Sequence, residues 1–273
     1  NTASASSSFN VSMGTSDTTP PVITITGVEN GGWYNYDVIP VITIADENLD
    51  PSKNVITLNN EPFVSGTSVA IENFYLIFVS AEDTFGNKSQ ASLYFVIDKT
   101  PPVIKITDPS DNAVVGSTPS QLKGRIEDIA PESLTIDGES VSLIEGGEFT
   151  VQRALQEGLN AFTFVAKDRA QNTSTLVWHI VLKTTKPTIT ITSPQGGLVT
   201  SAKYVDVEGT VSNDTVKVFV GSEQALLSGT TFHFPRFSLS KEGENIIVAK
   251  ATDAAGNESQ TQVVVERDTI PPK

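Results

Sequence analysis

Acidic side chains recur along this chain at a fixed spacing, and their hard oxygen atoms are ligands of the kind that calcium prefers. Asp83, Asp168 and Asp253 lie 85 residues apart, and each precedes an asparagine by four positions. If the repeats fold alike, the acids of two loops and of the preceding linker should meet at one end of each repeat. The calcium site predicted in this way draws on Asp17, Asp46, Glu47, Asp83, Asp98, Asp128 and Asp168.

Turn capping is the competing interpretation of these acids. An aspartate four residues before an asparagine can accept hydrogen bonds from the backbone of a tight hairpin, and the spacing of the acids is not that of an EF-hand. The third repeat separates the two interpretations, because Lys183 stands where the earlier repeats have Asp17 and Asp98. A lysine would repel a cation, so we expect calcium to bind weakly or not at all at the third repeat.

The sequence offers little for catalysis. His179 and His233 show no spacing relation to carboxylates or to a nucleophilic serine, and there is no Gly-x-Ser-x-Gly motif. The chain has no cysteine, which excludes disulfides and thiolate metal sites. We therefore predict that the chain is not an enzyme and needs no cofactor, with calcium as the one candidate ion.

Three aromatic residues form a candidate carbohydrate site. Trp33, Tyr34 and Tyr36 cluster near the start of the second predicted strand, and exposed rings there would stack on a sugar. Buried rings would instead pack in the core, which is the interpretation that we favour for Trp33. Trp178 is in phase with Ile180 and Leu182, so we predict that it faces the core.

Composition narrows the classes of partner. A net charge of −14 argues against nucleic acid and against an anionic membrane surface. The sequence has no run of about 18 apolar residues, so no membrane insertion is expected. The partners that remain are adjoining domains of the same polypeptide, cell-wall or extracellular polysaccharide, and neighbouring copies in an assembly.

Short β-strands must position all of these residues. The same β-branched pattern follows a proline three times, at residues 22–26, 103–107 and 188–192. Turn signals recur every 8 to 12 residues or so, which is typical of an antiparallel sandwich. The pairs Gly86-Asn87 and Gly256-Asn257 predict a tight hairpin before the last strand of a repeat. Asn160 and Asn245 are predicted to hydrogen-bond the backbone of an earlier corner.

The motifs Glu-Gly-x-Asn, Ala-x-Asp-x-x-Gly-Asn and Asp-x-x-Pro-Pro resemble those of bacterial immunoglobulin-like (Big-type) domains, which occur in tandem on large exported proteins. Ala81, Ala166 and Ala251 match the alanine of this pattern. The second and third repeats most resemble accessory domains of cell-surface and polysaccharide-degrading enzymes. The first repeat resembles a sister group in surface proteins of Gram-positive bacteria. The resemblance covers nearly the whole chain, and it is specific for the fold rather than for a function.

The repeat and the resemblance predict an all-β chain of three tandem immunoglobulin-like antiparallel β-sandwiches in an extended array. The predicted domains are residues 17–98, 99–183 and 184–268, with residues 269–273 beginning a further linker. Residues 1–16 alternate Phe9, Val11 and Met13 with polar residues. They are interpreted as the leftover last strand of an earlier repeat or as a donor strand that completes a sheet in another molecule. Their serine-rich composition favours the leftover strand.

The function predicted from these features is structural. The leading hypothesis is a non-enzymatic stalk or spacer of a large extracellular bacterial protein, such as an adhesin, a surface-layer protein or a cell-wall protein. The second hypothesis is a set of carbohydrate-binding accessory domains of a secreted polysaccharide-degrading enzyme, which an exposed aromatic row would favour. The third is a filament subunit assembled by strand exchange. All three place the chain outside the cell or at its wall.

Overall fold

A computed structural model describes residues 16–271, and this part of the chain is built from β-strands. Three tandem immunoglobulin-like sandwiches account for the strands, as predicted. The described residues contain no α-helix; they contain two 3₁₀ turns, at Pro51–Lys53 and Glu145–Gly147. Accordingly, none of residues 16–271 forms a helix of the length and apolarity that crossing a membrane requires.

The first sandwich packs a two-stranded sheet against a five-stranded sheet. The smaller sheet pairs β1 (Val22–Thr26) with β3 (Val41–Ala45). The larger sheet has the order β2-β7-β6-β4-β5. Its strands are β2 (Gly32–Tyr34), β4 (Val55–Leu58), β5 (Glu61–Pro62), β6 (Asn73–Glu82) and β7 (Lys88–Ile97).

The second sandwich has sheets of three and five strands, in the orders β13-β10-β8 and β12-β11-β14-β15-β9. The smaller sheet contains β8 (Val103–Asp108), β10 (Ser120–Glu127) and β13 (Glu148–Arg153). The larger sheet contains β9 (Ala113–Val115), β11 (Pro131–Ile136), β12 (Glu139–Val141), β14 (Gly158–Asp168) and β15 (Thr173–Leu182).

The third sandwich has sheets of four and five strands, in the orders β16-β18-β22-β21 and β17-β24-β23-β19-β20. The first sheet contains β16 (Ile189–Ser193), β18 (Tyr204–Val211), β21 (Leu226–Ser228) and β22 (Thr231–Ser238). The second contains β17 (Leu198–Thr200), β19 (Thr215–Val220), β20 (Glu223–Gln224), β23 (Gly243–Asp253) and β24 (Glu258–Arg267).

One pairing in each sandwich is parallel. The short strands β2, β9 and β17 run parallel to the last strands β7, β15 and β24. The opening segment of each sandwich therefore pairs first with one sheet and then crosses to the edge of the other. This crossing places the end of the last strand beside the opening segment, where the next linker begins.

Alternating apolar residues of the strands fill the three cores. Phe95, Ile180 and Val265 stand 85 residues apart on the last strands, and all three are completely buried. Burying such a side chain contributes about 1.5–3 kcal/mol. Trp178 packs against the core of the second sandwich, as predicted.

The described chain divides into two compact units. The first contains the residues up to Pro102 together with 128–132 and 167–174, and the second contains residues 103–127, 133–166 and those from 175 onward. The predicted domain boundaries therefore stay predictions. The predicted strand that contains Phe9, Val11 and Met13 lies outside the described residues.

Candidate functional site

The aspartate of each repeat caps a hairpin. Asp83 Oδ1 accepts hydrogen bonds from the amides of Phe85 (2.9 Å) and Asn87 (2.8 Å), and its Oδ2 accepts one from the Asn87 side chain at 2.6 Å. Asp168 binds the amide and the side chain of Asn172 in the same way, at 2.9 and 2.8 Å. The turn-capping interpretation is therefore correct for these residues, and it also applies to Asp253 with Asn257.

The residue before the asparagine takes a positive φ in all three hairpins. Gly86 has φ +88° and Gly256 has φ +82°, a conformation that costs glycine nothing. Gln171 adopts φ +73° at the equivalent position, where its Cβ makes the conformation unfavourable. The hairpin is thus strong enough to impose its backbone on a non-glycine residue.

The hairpin asparagines also bind the preceding linker. The Nδ2 atoms of Asn87, Asn172 and Asn257 donate to the carbonyl oxygens of three linker residues. The acceptors are Asp17 (3.1 Å), Asp98 (2.8 Å) and Lys183 (2.7 Å). Each asparagine thereby joins its own hairpin to the linker that leads into its sandwich.

The other side of each linker is held by the sandwich that precedes it. The amide of Asp98 donates to Tyr34 O at 2.9 Å, which extends the parallel pairing of β2 and β7. A glutamate then binds the next linker residues. Glu72 accepts from the Lys99 amide (2.5 Å) and the Thr100 hydroxyl (3.0 Å). Equivalent bonds join Glu157 to Thr184 and Glu242 to Thr269.

Sequence reasoning missed this role of the glutamates, although a signal was present. Glu72, Glu157 and Glu242 recur at 85-residue intervals, 27 residues before the linker residues that they bind. Nearby, the predicted corner bonds of Asn160 and Asn245 are confirmed, since both side chains bind the backbone four residues earlier. Tyr75 occupies the equivalent position in the first sandwich and also binds the backbone four residues earlier, since its hydroxyl donates to Ile71 O at 2.8 Å.

The first acidic group consists of Asp17, Asp46 and Asp83, whose carboxylates offer oxygens within 4.8 Å of one another. Asp17 Oδ1 accepts from the Thr19 amide and Oδ2 from the Asn48 side chain, both at 2.9 Å. These hydrogen bonds lower the pKa of Asp17 and favour its charged form. Glu47 is exposed and is not a member of the described group.

The second acidic group consists of Asp98, Asp128 and Asp168, again with oxygens within 4.8 Å. Asp168 is completely buried and Asp98 is only 4% exposed. Burial raises the pKa of Asp98 and outweighs the hydrogen bond from the Thr100 amide; the neighbouring carboxylates raise it further. Burial and Asp168 likewise raise the pKa of Asp128, against the hydrogen bond from the Ala130 amide. The group therefore concentrates negative charge where water does little to stabilise it.

The third junction contains an ion pair instead. Lys183 Nζ lies 2.8 Å from Asp214 Oδ2, donates to Thr185 O at 2.6 Å and contacts Asp253 Oδ2. Hydrogen bonds to Asp214 and Asp253 raise the pKa of Lys183. Burial opposes ionisation of Asp253, but the hydrogen bonds from Lys183 and Asn257 prevail and lower its pKa to about 2.

The three predicted carbohydrate-binding aromatics do not form one exposed row. Tyr34 packs against the core of the first sandwich, and its hydroxyl accepts from the Glu29 amide at 2.7 Å. Trp33 is half-buried, with the Arg169 guanidinium 5.3 Å from its ring centre. Tyr36 is 59% exposed. One ring is therefore free to meet a sugar face, whereas the carbohydrate hypothesis expects three.

Each histidine lies beside one carboxylate at the surface. His179 Nδ1 is 3.3 Å from Asp111 Oδ1, and His233 Nε2 is 3.8 Å from Asp206 Oδ2. Sequence spacing gave no sign of these pairs, because the partners come from different strands and loops. Neither contact includes a serine or another nucleophile.

Comparison with known proteins identifies a family for the second and third sandwiches. The family model described as glucodextranase, domain B, matches twice, at residues 102–184 and 187–269. The two matches together cover more than half of the 273 residues. No curated protein matches the chain.

Solved structures of several tandem-domain proteins are similar to this chain. Three immunoglobulin domains of titin match at 11% identity and TM-score 0.42, over 92% of this chain and 99% of that one. Three N-terminal domains of the outer capsid protein Hoc of bacteriophage RB49 match at 12% identity and TM-score 0.42, over 92% and 100%. Fibronectin(III)-like modules of Clostridium thermocellum CbhA match at 15% identity and TM-score 0.34, over 59% and 94%. At such low identity the likeness concerns the fold alone.

Proposed function

The chain belongs to the glucodextranase domain B family, and on that premise we propose that it is a non-catalytic spacer within a larger exported bacterial protein. In this role it sets the distance between neighbouring domains of the same polypeptide. The family's name refers to a domain of a glucodextranase, which favours a setting beside a catalytic domain that degrades polysaccharide. A stalk of a cell-surface protein is the other setting in which the same spacer would serve.

The observation that carries this proposal is the hydrogen bonding of the linkers on both sides. A glutamate of the preceding sandwich binds the linker, and an asparagine of the following sandwich binds the linker's first carbonyl oxygen. Proline at the end of the linker further restricts the backbone. A spacer needs such restraint, because a freely flexing linker would not fix a distance.

The aromatic residues give less support to carbohydrate binding. A sugar platform needs exposed ring faces, and Tyr36 alone among the three candidates offers one. Tyr34 packs against the core, and the Arg169 guanidinium lies over the Trp33 ring. We therefore place the spacer role before a ligand-binding role.

Spin-label distances test the spacer proposal directly. Gln90, Thr175 and Gln260 are equivalent, exposed positions on the last strands of the three sandwiches, and the chain has no cysteine to interfere with labelling. Double-cysteine variants at Gln90 with Thr175, and at Thr175 with Gln260, report on one linker each. We expect a single narrow distance distribution for both pairs.

Removing a hairpin asparagine should loosen one linker and spare the other. Asn257→Ala should broaden the distribution for Thr175 with Gln260 and leave the other pair unchanged, and Asn172→Ala should do the reverse. The exposed Asn60, remote in sequence from both linkers, provides the control Asn60→Ala. Broad distributions in the unmutated protein for both pairs would contradict the spacer role.

A further inference from the structure

We call the linker that begins at Asp98 the second linker and the one that begins at Lys183 the third linker. The three carboxylates at the second linker lack a cation that the third linker carries. By the 85-residue repeat, Asp98 is equivalent to Lys183 and Asp168 to Asp253. Lys183 forms ion pairs with both Asp253 and Asp214 at the third linker. At the second linker the lysine is replaced by an acid, so one positive charge is lost and one negative charge is gained.

One oxygen of this group has no hydrogen-bond partner. Asp98 Oδ1 accepts from the Thr100 amide at 3.2 Å, whereas Asp98 Oδ2 has no partner among the described residues. The side chain is 4% exposed, so bulk water does not compensate. A buried carboxylate oxygen without a partner is costly, and a bound cation removes that cost.

The basic residues that directly follow Asp98 and Asp168 in the sequence are engaged elsewhere. Lys99 follows Asp98 directly, but its Nζ binds Asp37 Oδ1 and Ala70 O, both at 2.6 Å. Arg169 follows Asp168, but its guanidinium lies over the Trp33 ring. Lys105 of β8 and Arg125 of β10 both pair with Glu127. Within residues 16–271, no basic side chain forms an ion pair with Asp98, Asp128 or Asp168.

We propose that Asp98, Asp128 and Asp168 bind one calcium ion at the linker between the first and second sandwiches. Ligand oxygens lie 2.3–2.6 Å from calcium, so two ligands of one ion are separated by at most about 5.2 Å. The limit of 4.8 Å within this group meets that requirement. Magnesium, at 2.0–2.1 Å, demands a stricter octahedral geometry than calcium does.

The first acidic group does not carry the same inference. Both oxygens of Asp17 accept hydrogen bonds, one of them from the Asn48 side chain, so that carboxylate is already satisfied. Asp214 at the third linker has one free oxygen, but its side chain is 35% exposed and its other oxygen binds Lys183. The buried unpartnered oxygen at Asp98 thus distinguishes the second linker.

Calcium binding goes beyond the spacer role and does not depend on it. Calcium would fix the second linker under extracellular conditions, whereas the third linker has its own ammonium group. The label distances between Thr175 and Gln260 report on the third linker, so they test the spacer role whether or not calcium binds. Calcium titration tests the ion site alone. A failure of the spacer proposal and a failure of the calcium proposal can therefore be told apart.

Isothermal titration of calcium into the chelator-treated full chain tests the site. We expect uptake with a dissociation constant on the order of 10⁻⁴–10⁻³ M, as in extracellular modules. Asp98→Lys copies the third linker, and we expect it to remove one binding site. Lys183→Asp copies the second linker, and we expect it to add one. Absence of calcium uptake at millimolar concentration overturns the proposal.

Two further results are decisive. Unchanged uptake by a folded Asp98→Lys variant would place any bound ion elsewhere and overturn the assignment. If Asp98→Lys does not fold, Asp98→Asn keeps the size of the side chain and gives the same test, with at least a tenfold weaker affinity expected. Asp17→Asn is the matched control, because it removes an equivalent charge from the first group and should leave this site intact.

Discussion

Asp98 and Lys183 occupy equivalent positions of the repeat, yet they carry opposite charges. Both donate a main-chain amide to the preceding sandwich, and both offer a carbonyl oxygen to the asparagine of the following hairpin. Their side chains differ in what they do to the buried hairpin aspartate: Lys183 pairs with Asp253, whereas Asp98 adds a second buried carboxylate beside Asp168.

This difference separates two roles of the repeated aspartates. The first role is to cap the hairpin, which Asp83, Asp168 and Asp253 all perform with the same geometry. The second role, which we propose, is to bind a cation, and it depends on the residue at the linker. The backbone hydrogen bonds at the linker therefore stay the same in the two repeats. The side chain at the position of Asp98 or Lys183 determines whether the hairpin aspartate has a basic partner in the protein.

Breaking the third junction should have the largest effect on stability. Asp253→Ala removes the hairpin cap and leaves Lys183 without its buried partner, so we expect the third sandwich to lose about 3–5 kcal/mol. Hydrogen exchange of β23 and β24 measures this loss. The exposed pair of Lys250 and Glu258 provides the control, since Glu258→Ala should cost less than about 1 kcal/mol. A similar small cost for Asp253→Ala would contradict the role of the ion pair.

Acid should weaken the third junction without any mutation. The pKa of Asp253 is about 2 in the folded chain, compared with an ordinary value of 3.8 in the unfolded chain. The contribution of its carboxylate to stability is therefore fully present above pH 3.8. That contribution is lost as the pH falls through about 2. We expect hydrogen exchange of the third sandwich to accelerate over this range. Asp253→Asn, which cannot ionise, should abolish this part of the pH dependence.

Neutralising Asp98 at the second linker should raise stability, whereas breaking the ion pair at the third linker should lower it. In the presence of a chelator, Asp98→Asn removes one of two buried charges beside the half-buried Asp128 and should raise the stability of the second sandwich by about 1 kcal/mol or more. In calcium the variant should lose that advantage, because the unmutated protein gains stability from the ion. Thermal unfolding with and without calcium compares the two. A destabilised variant in chelator would show that the carboxylate is needed for reasons other than a cation.

The smallest effect concerns the turn that the junctions share. Gln171→Gly relieves the positive φ that Gly86 and Gly256 adopt freely, so we expect a gain of about 0.5 kcal/mol once the entropy of glycine is counted. Gly256→Gln should cost about 1 kcal/mol at the third hairpin. Urea unfolding of both variants checks the pair. Equal and negligible changes would mean that the backbone conformation at this position is not strained.

The parts of this site that were predictable from the sequence are the local ones. A cap joining residues four positions apart depends on few neighbours, so Asp83 with Asn87 and its two equivalents could be predicted. The opposite charge of Lys183 was also visible, because the repeat aligns it with Asp98. The immunoglobulin-like fold followed from strand pattern and turn chemistry.

Long-range partners could not be predicted in this way. Alignment of the repeats pairs Asp128 with Asn213, but the acid that binds Lys183 is Asp214. Tyr75 replaces an asparagine by reaching the same carbonyl with a chemically different group. The parallel pairing of the opening strands depends on a crossing between sheets that alternation of residues does not encode.

Hydrogen exchange of the unmutated protein, compared with and without calcium, tests the difference between the junctions most directly. The two hairpins, at residues 168–172 and 253–257, serve as test and internal reference in one molecule. We expect calcium to slow exchange of the Asn172 amide about tenfold or more, as mass action predicts for calcium well above its dissociation constant. Exchange of the Asn257 amide should not change. Equal slowing at both hairpins, or no change at either, would contradict the account.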